Sequence, residues 1–301
     1  MATLVNPAKR NALRLLGALP LIAAGASVAQ SAKGSRADAP RIALVLGSGS
    51  ARGFAHIGVI KALEAAKIKP DLIVGTSAGA LIGAFYAAGF SGAQMEDLAL
   101  KVKDIDIVDM NTGSKRGMLM GDTLQTFVNR ATRDRPIELL GIPFIAVATR
   151  LRTGEIATFR SGDLGLAVRA SCSVPGVFIP PKINDVDFVD GGLVSPVPVR
   201  VARDAGADFV IAVDVSSGPL NATPVGIYEQ VMHSFEIMGR SLSKIEAEQA
   251  DVLIRPDVSR LASTDFHNRA AFIQIGQAAG ARFVPVVQEK LAALRAGKKR
   301  T

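Results

Sequence analysis

The chain has 301 residues, 49% hydrophobic and 21% charged, which is enough to bury one large core. Its single cysteine, Cys172, excludes an intramolecular disulfide. The net charge is +8, but the chain has no tryptophan and only 5% aromatic residues. Because no basic recognition motif accompanies the charge, nucleic acid is not an expected partner.

The first forty residues differ in character from the rest. Basic residues at positions 9, 10 and 14 precede an apolar segment at residues 15–26, and small residues occupy positions 27–29. This pattern predicts a signal peptide over residues 1–29, a flexible mature N-terminus over residues 30–40, and an exported protein, periplasmic or secreted. An uncleaved anchor and a disordered tail are the alternatives, although Pro20 and the short apolar segment disfavour the anchor.

A glycine- and serine-rich loop at residues 47–53 follows the apolar run 41–46 and precedes a helical pattern at 54–66. A loop of this kind presents backbone N–H groups to an anion. A dinucleotide-binding fingerprint is the alternative. It fits poorly, because Arg52 stands where the third glycine belongs and no acid ends the second strand.

The most informative stretch is Gly-Thr-Ser-Ala-Gly at residues 75–79, between a strand-like run at 72–74 and a helix-like run at 80–88. Strand, sharp turn and helix place Ser77 at the apex, with its oxygen clear of the sheet. The start of the helix directs free amides at a developing oxyanion. The pattern predicts a nucleophilic Ser77, with a plain tight turn as the alternative.

Asp190 is the strongest candidate for the base that serves Ser77. It ends the apolar strand 186–189, and Gly191 and Gly192 leave room beside its carboxylate. A hairpin turn is the simpler interpretation of the same residues.

The chain has three histidines, and each is a weaker candidate for the base. His233 and His267 lie in polar, helix-like surroundings, and His56 is expected to pack or to cap a helix. A histidine-dependent α/β-hydrolase mechanism stays open at this point.

Alternating strand and helix patterns predict an α/β fold with a mainly parallel sheet. Further helices are predicted at 91–102 and 122–130, and further strands at 143–151, 155–159, 207–215 and 251–255. One long amphipathic helix carries an apolar stripe that is expected to pack in the core, with a lipid-facing surface as the alternative. The stripe consists of Ile227, Val231, Phe235, Met238, Leu242 and Ile245.

Residues 110–120 hold three of the seven methionines beside Lys115 and Arg116. Flexible thioethers with a basic fringe suit a mobile lip that contacts a membrane surface. A loop folded over the core by its methionines is an equal alternative.

Four ordered blocks, at residues 47–59, 75–79, 169–178 and 190–192, resemble the patatin-like phospholipase family and, more closely, its bacterial branch. The resemblance runs from about residue 41 to the end of the chain. It implies a three-layer fold, with a mainly parallel central sheet flanked by helices, over residues 41–295. Residues 296–301 would form a basic tail.

The resemblance further implies a Ser77–Asp190 dyad without histidine, and an oxyanion hole from the amides around Gly49 and Ser50. Arg52 would brace that loop. No cofactor or metal is implied. The substrate would be a lipid or other acyl ester, reached by peripheral contact with a membrane, and no protein partner is predicted. The remaining implied site residues are Gly47 and Gly53 in the loop, Gly75, Ala78 and Gly79 at the elbow, and Gly191 and Gly192 after the acid.

Commoner family members have glycine where this chain has Ser48 and Ser50, so the shape of this loop is expected to differ. Two other functions stay open: a general carboxylesterase or thioesterase for small acyl substrates, and a catalytically silent lipid-binding member of the same fold. The catalytically silent alternative is disfavoured, because Ser77 and Asp190 are both present.

Overall fold

The computed structural model describes residues 39–110, 113–216 and 226–298. The predicted signal peptide and all but the last two residues of the 30–40 segment therefore lie outside the described residues.

The described residues form ten strands and eight α-helices, joined by short 3-10 turns. The strands are β1 Ile42–Leu46, β2 Leu72–Thr76, β3 Gly117–Leu119, β4 Phe144–Arg150, β5 Ile156–Phe159, β6 Gly176–Phe178, β7 Lys182–Ile183, β8 Val186–Asp190, β9 Phe209–Val213 and β10 Val252–Ile254. The helices are α1 Phe54–Ala65, α2 Ala78–Ala87, α3 Gly92–Lys101, α4 Asp122–Thr132, α5 Leu164–Cys172, α6 Val199–Asp204, α7 Ile227–Ala247 and α8 Arg269–Lys298.

The central sheet has the strand order β10-β9-β1-β2-β4-β8-β7, and β5 pairs with β4 as well. Strands β10, β9, β1, β2 and β4 run parallel, whereas β5 and β8 lie antiparallel to β4. The strands β1, β2 and β9 are buried along their whole length. This burial explains their continuous apolar sequences, because helices cover both faces of a parallel sheet.

The two faces of the sheet carry separate apolar layers. Leu44, Leu46 and Ile73 point to the layer that holds α1, α2 and α8. Val45 and Val74, one residue further along their strands, point to the layer that holds α6. The predicted three-layer α/β fold is therefore confirmed. A separate two-stranded parallel sheet, β3 with β6, was not predicted from the sequence.

Helix α8 is the longest helix in the described residues, and the sequence indicated only a helix-like context at His267, close to its start. It packs against α1 so closely that a Cβ at Gly276 would overlap the carbonyl oxygen of Ala55. Phe272, Ile273 and Val287 of α8 are fully buried. By length and composition alone, residues 269–297 could also cross a membrane, and no other helix in the described residues is both long and apolar enough. The helix extends to Lys298, into the segment that the sequence assigned to a basic tail.

Helix α7 contradicts the expectation that its apolar stripe packs in the core. Ile227 is 84% exposed, Ile245 64% and Met238 52%, and Val231 is exposed as well. Phe235 and Leu242 of the stripe are half-buried. The carboxylates of Glu236 and Glu246 face the protein. The carboxylate of Glu246 accepts hydrogen bonds from Ser195 Oγ (2.5 Å) and from the amide of Val197 (2.9 Å).

The segment at residues 110–120 is not folded over the core by its methionines. Met110 is 69% exposed, and Met118 and Met120 are exposed as well. Arg116 forms an ion pair with Asp187 of β8, with 2.8 Å between Nη2 and Oδ2. This pairing leaves Lys115 as the exposed charge of the predicted lip without an ion pair in the described residues.

Candidate active site

Strand β4 brings the two candidate catalytic residues together. One part of β4 pairs with the end of β2 and the next part with the end of β8, so that Thr76 lies opposite Val147 and Asp190 opposite Ala148. The strands β2 and β8 are far apart in the sequence. Their last residues nevertheless pair with consecutive residues of β4. Ser77, which directly follows Thr76, is placed beside Asp190 by this register.

Ser77 adopts a left-handed backbone conformation, with φ of 54° and ψ of −122°, at the N-cap of α2. Such a conformation costs a non-glycine residue on the order of 1–3 kcal/mol and persists only where the surroundings enforce it. The flanking glycines make the turn sterically feasible. A Cβ at Gly75 would lie 2.5 Å from the carbonyl oxygen of Gly79, and one at Gly79 would overlap the carbonyl oxygen of Leu46.

Ser171 holds the elbow in place, a role that sequence reasoning missed. Its hydroxyl accepts a hydrogen bond from the Ser77 amide (2.8 Å) and donates one to the carbonyl of Val147 (2.5 Å). The side chain is fully buried. The only signal in the sequence was the position of Ser171 in the third block, residues 169–178.

Asp190 is buried, and only one of its two carboxylate oxygens accepts a hydrogen bond of standard geometry. Its Oδ1 accepts a hydrogen bond from the amide of Gly192 (2.7 Å), whereas the buried Oδ2 makes no hydrogen bond of standard geometry. Burial raises the pKa of Asp190 to about 6, and hydrogen bonding from the Ser77 hydroxyl and the Gly192 amide lowers it. The carboxylate therefore has a free lone pair near the nucleophile, and it is a stronger base than an exposed aspartate.

The backbone around Asp190 is fixed by two hydrogen bonds. Its amide donates to the carbonyl of Ser173 (2.9 Å), and its carbonyl accepts from Thr149 Oγ1 (2.8 Å). The chain continues into a 3-10 turn over Gly191–Leu193, not into the hairpin that was the alternative. A Cβ at Gly192 would lie 2.8 Å from Ser48 Oγ, which places the Ser48 hydroxyl against this turn.

The loop after β1 presents two unused amides. The amides of Gly47 and Ser48 donate to Val213 O (3.0 Å) and Pro196 O (2.8 Å). Within the described residues, the amides of Gly49 and Ser50 donate to no acceptor outside their own turn. Ser50 has a φ of 52°, so it occupies a conformation that suits glycine. The Ser50 side chain is exposed, and the loop keeps its turn at some cost in strain.

The loop lies directly against the elbow. Gly53 packs on Ala78, the first residue of α2, so closely that a Cβ at position 53 would overlap the Cβ of Ala78. The free amides at positions 49 and 50 and the N-terminus of α2 therefore belong to one small region beside Ser77. That region can stabilise a developing oxyanion.

Arg52, which was expected to brace the loop, reaches residues outside it. The side chain is 5% exposed and points to the segment after β10 and to α7. Its Nε donates to Leu261 O (3.4 Å), and its Nη1 lies 3.6 Å from Glu236 Oε1. Burial lowers the pKa of Arg52, and the carboxylate of Glu236 raises it. The neighbouring Ala51 amide donates to Ser263 O (3.0 Å), so the loop is held from outside.

His56 supports the loop and is not placed as a base for Ser77. It is fully buried, and its Nε2 donates to the carbonyl of Gly47 (2.8 Å). Burial lowers the pKa of His56 to about 4, so the ring is neutral near pH 7. His233 lies on α7 and His267 is exposed before α8. The recorded hydrogen bonds of Ser77 and Asp190 involve no histidine.

Cys172 lies beside Ser77 and Asp190. Burial and the nearby carboxylate of Asp190 raise the pKa of its thiol, so the thiol is neutral, and the Ser77 hydroxyl is within hydrogen-bonding reach. The residue is half-buried overall. The described residues contain no cluster of three or more histidine, cysteine, aspartate or glutamate side chains arranged for a metal ion.

Comparison with known proteins shows similarity to one protein family. The patatin-like phospholipase family model matches residues 44–203, more than half of the chain. Patatin-like phospholipase domain-containing protein 6 from Homo sapiens is 33% identical over 231 residues, which cover 74% of this chain and 16% of that protein. An uncharacterised protein of the NTE family from Mycobacterium tuberculosis is 36% identical over 60% of this chain and 50% of its own length.

Among solved structures, VipD from Legionella pneumophila superposes with a TM-score of 0.53 at 14% sequence identity, over 83% of this chain and 67% of that one. This likeness concerns the fold. The chain spans half or less of the two relatives described above. Both animal and bacterial relatives match, so assignment to a bacterial branch stays a prediction. The ordered blocks, the three-layer fold and the family match together establish that this chain belongs to the patatin-like phospholipase family.

Proposed function

We propose that the protein is a serine acyl hydrolase that cleaves lipid ester bonds of the phospholipid type. The observation that carries the proposal is the position of Ser77 beside Asp190. Ser77 lies at a strained elbow, one oxygen of the Asp190 carboxylate lacks a hydrogen bond of standard geometry, and the strands that precede and hold these residues pair with consecutive residues of β4. Membership of the patatin-like phospholipase family supports the lipid substrate class.

In the first half of the proposed reaction, Ser77 Oγ attacks the ester carbonyl carbon while its proton passes to Asp190. The carbonyl oxygen becomes an oxyanion, which the amides of Gly49 and Ser50 and the N-terminus of α2 stabilise. When the tetrahedral intermediate collapses, the C–O bond to the alcohol breaks. The leaving alcohol takes the proton from Asp190, and the acyl group stays on Ser77.

In the second half, a water molecule gives its proton to Asp190 and attacks the acyl carbonyl. Collapse of this intermediate breaks the bond to Ser77 Oγ, which recovers its proton, and a fatty acid leaves. A carboxylate with a pKa of about 6 is a weak base for a hydroxyl, so proton transfer has to accompany attack. The proposal therefore depends on strong oxyanion stabilisation and predicts modest rates on unactivated esters.

A panel of substrates tests the proposal. Wild-type protein and Ser77→Ala are compared on long-chain phospholipids, on a neutral acylglycerol and on short-chain esters and thioesters. Release of fatty acid from phospholipid by the wild type alone supports the proposal. Turnover restricted to the short-chain substrates would make the protein a general carboxylesterase or thioesterase. No turnover of any substrate by a folded wild type would favour a lipid-binding member of the fold.

Export is a separate part of the proposal. It rests on the sequence of residues 1–29 alone, which lie outside the described structure. N-terminal sequencing of protein from the periplasmic or secreted fraction tests it, and a mature chain that begins near Gln30 is expected. An intact Met1 on a cytoplasmic protein would contradict export and leave the chemistry at Ser77 unaffected.

A further inference from the structure

Helix α7 carries an apolar outer face that no described residue covers. The outer face is defined here as Ile227, Val231, Ser234, Met238, Ser241 and Ile245. These residues follow one another at alternating steps of four and three positions, so they form one line along the helix. All six are exposed.

The two serines in this line present no free hydroxyl donor. Ser234 Oγ donates to the carbonyl of Gln230 (2.8 Å), and Ser241 Oγ donates to the carbonyl of Ile237 (3.1 Å). The outer face therefore consists of four apolar side chains and two serines, and contains no charged side chain. From Ile227 to Ile245 it extends for about 27 Å, at 1.5 Å per residue.

The opposite face of α7 holds the helix to the active site through polar contacts. Glu236 accepts a hydrogen bond from Ser263 (2.5 Å) and pairs with Arg52 of the loop. Glu246 bonds to Ser195 and Val197 in the segment after Asp190. A Cβ at Gly239 would lie 3.9 Å from the carbonyl oxygen of Gly192, so the helix lies over the turn that follows the acid.

An ordinary surface helix buries its apolar residues. Helix α7 leaves this apolar line exposed and turns the carboxylates of Glu236 and Glu246 toward the protein. Five of the fourteen large apolar side chains that are exposed in the described residues lie on α7. A soluble protein rarely leaves such a line uncovered, and a patch of this kind marks an interaction surface.

We propose that the outer face of α7 is the surface with which the protein docks on a phospholipid bilayer. The choice of a bilayer rests on the proposed function, because the lipid ester has to come from a membrane and α7 contacts both the loop and the turn after Asp190. A straight, uncharged line of side chains on one helix suits a planar apolar medium, in which an interfacial helix lies parallel to the surface. Pairing with a second copy of the chain is less suited, since serines would occupy two of the six core positions of a two-helix seam.

Vesicle sedimentation tests the docking. In a Ser77→Ala background, which leaves the lipid intact, vesicles of phosphatidylcholine alone and of phosphatidylcholine mixed with phosphatidylglycerol are compared. The protein is expected to sediment with both, and Met238→Glu combined with Ile245→Glu should weaken binding at least about tenfold. The matched control is Leu139→Glu, which removes a side chain that is 67% exposed on a 3-10 turn away from α7 and should bind like the parent.

Three outcomes would overturn the docking proposal: no sedimentation of the parent protein, equal loss with Leu139→Glu, or sedimentation of the double variant at the parental level. A fourth such outcome comes from sedimentation equilibrium in the absence of lipid: the parent protein is a dimer and the double variant is a monomer. Circular dichroism establishes that the variants are folded. Vesicle binding through α7 without hydrolysis of any lipid would support the docking proposal and refute the proposed function. Hydrolysis of dispersed lipid without vesicle binding would support the proposed function and refute the docking proposal.

Discussion

The amide of Ser77 donates a 2.8 Å hydrogen bond to the hydroxyl of Ser171, which in turn donates to the carbonyl of Val147 on β4. The elbow that carries Ser77 is thus tied, through one buried side chain, to the strand that positions Asp190. A strained backbone keeps its conformation only while such contacts hold it.

We expect Ser171→Ala to lower kcat about tenfold or more and the free energy of unfolding by about 1–3 kcal/mol, because the buried Ser77 amide loses its acceptor. Ser173→Ala is the matched control. Ser173 is also a buried serine, and its hydroxyl donates to Arg169 O (2.7 Å), away from the elbow. It should cost similar stability but little kcat, and equal kcat losses in the two variants would contradict the role given to Ser171.

The pH dependence of the reaction should report Asp190. Burial raises its pKa to about 6, and a general base must be deprotonated to act. We expect kcat/KM on a soluble ester to rise about tenfold per pH unit below pH 6 and to level off above about pH 7. His56→Asn should keep this midpoint and stay within about tenfold of the wild-type rate, because the pKa of His56 is about 4. A midpoint that shifts with His56→Asn would return the histidine to the mechanism.

The same carboxyl group makes a prediction about stability. The pKa of Asp190 is about 6 in the folded state and near 3.9 in the unfolded chain, so the folded state binds the proton more tightly. The free energy of unfolding therefore falls as pH rises from about 4 to about 6, by roughly 3 kcal/mol in total. Asn at position 190 removes this cost.

Asp190→Asn should therefore have a higher Tm than the wild type at neutral pH, with the difference vanishing near pH 4, while activity falls at least about 10²-fold. Asp187→Asn, on the same strand, is the control for loss of a half-buried carboxylate that pairs with Arg116. Thermal unfolding across pH measures the effect. Equal Tm values for Asp190→Asn and wild type at neutral pH would show that Asp190 is not a costly buried charge.

Arg52 should act on the transition state through the loop. Its contacts with Leu261 and Glu236 hold the segment that presents the amides of Gly49 and Ser50. Arg52→Ala is expected to lower kcat more than it raises KM, since preorganised donors act mainly in the transition state. Glu236→Gln keeps the bond to Leu261 and should have a smaller effect of the same kind. A pure KM effect would instead mean that Arg52 binds an anionic group of the substrate.

Local patterns in the sequence were sufficient to predict the sheet and the position of Ser77. Glycines at 75 and 79 are needed wherever two backbones pass this closely, so the turn is visible in the sequence. The apolar runs of β1, β2 and β9 are equally local signals. Long-range pairing is a different matter. Nothing in the sequence near residues 186–190 indicates that β8 continues the edge of β4 where β2 ends.

Contacts between side chains and residues far away in the sequence could not be predicted either. Ser171 and Ser77 are 94 residues apart, and Arg52 and Leu261 are 209 apart, so no spacing rule connects them. Helix α7 shows a further limit. Its apolar periodicity predicted the helix correctly but not which face meets the protein, because the contacts of Glu236 and Glu246 decide that orientation.

The most direct test of the dyad is to map a covalent adduct on the intact protein. A fluorophosphonate probe reacts with an activated serine, and digestion followed by mass spectrometry locates the modified residue. We expect a single adduct on Ser77, formed more slowly below pH 6, when Asp190 is protonated, and absent in Ser77→Ala. Labelling of Ser77→Ala at the wild-type rate, or an adduct on another serine, would contradict the proposed dyad.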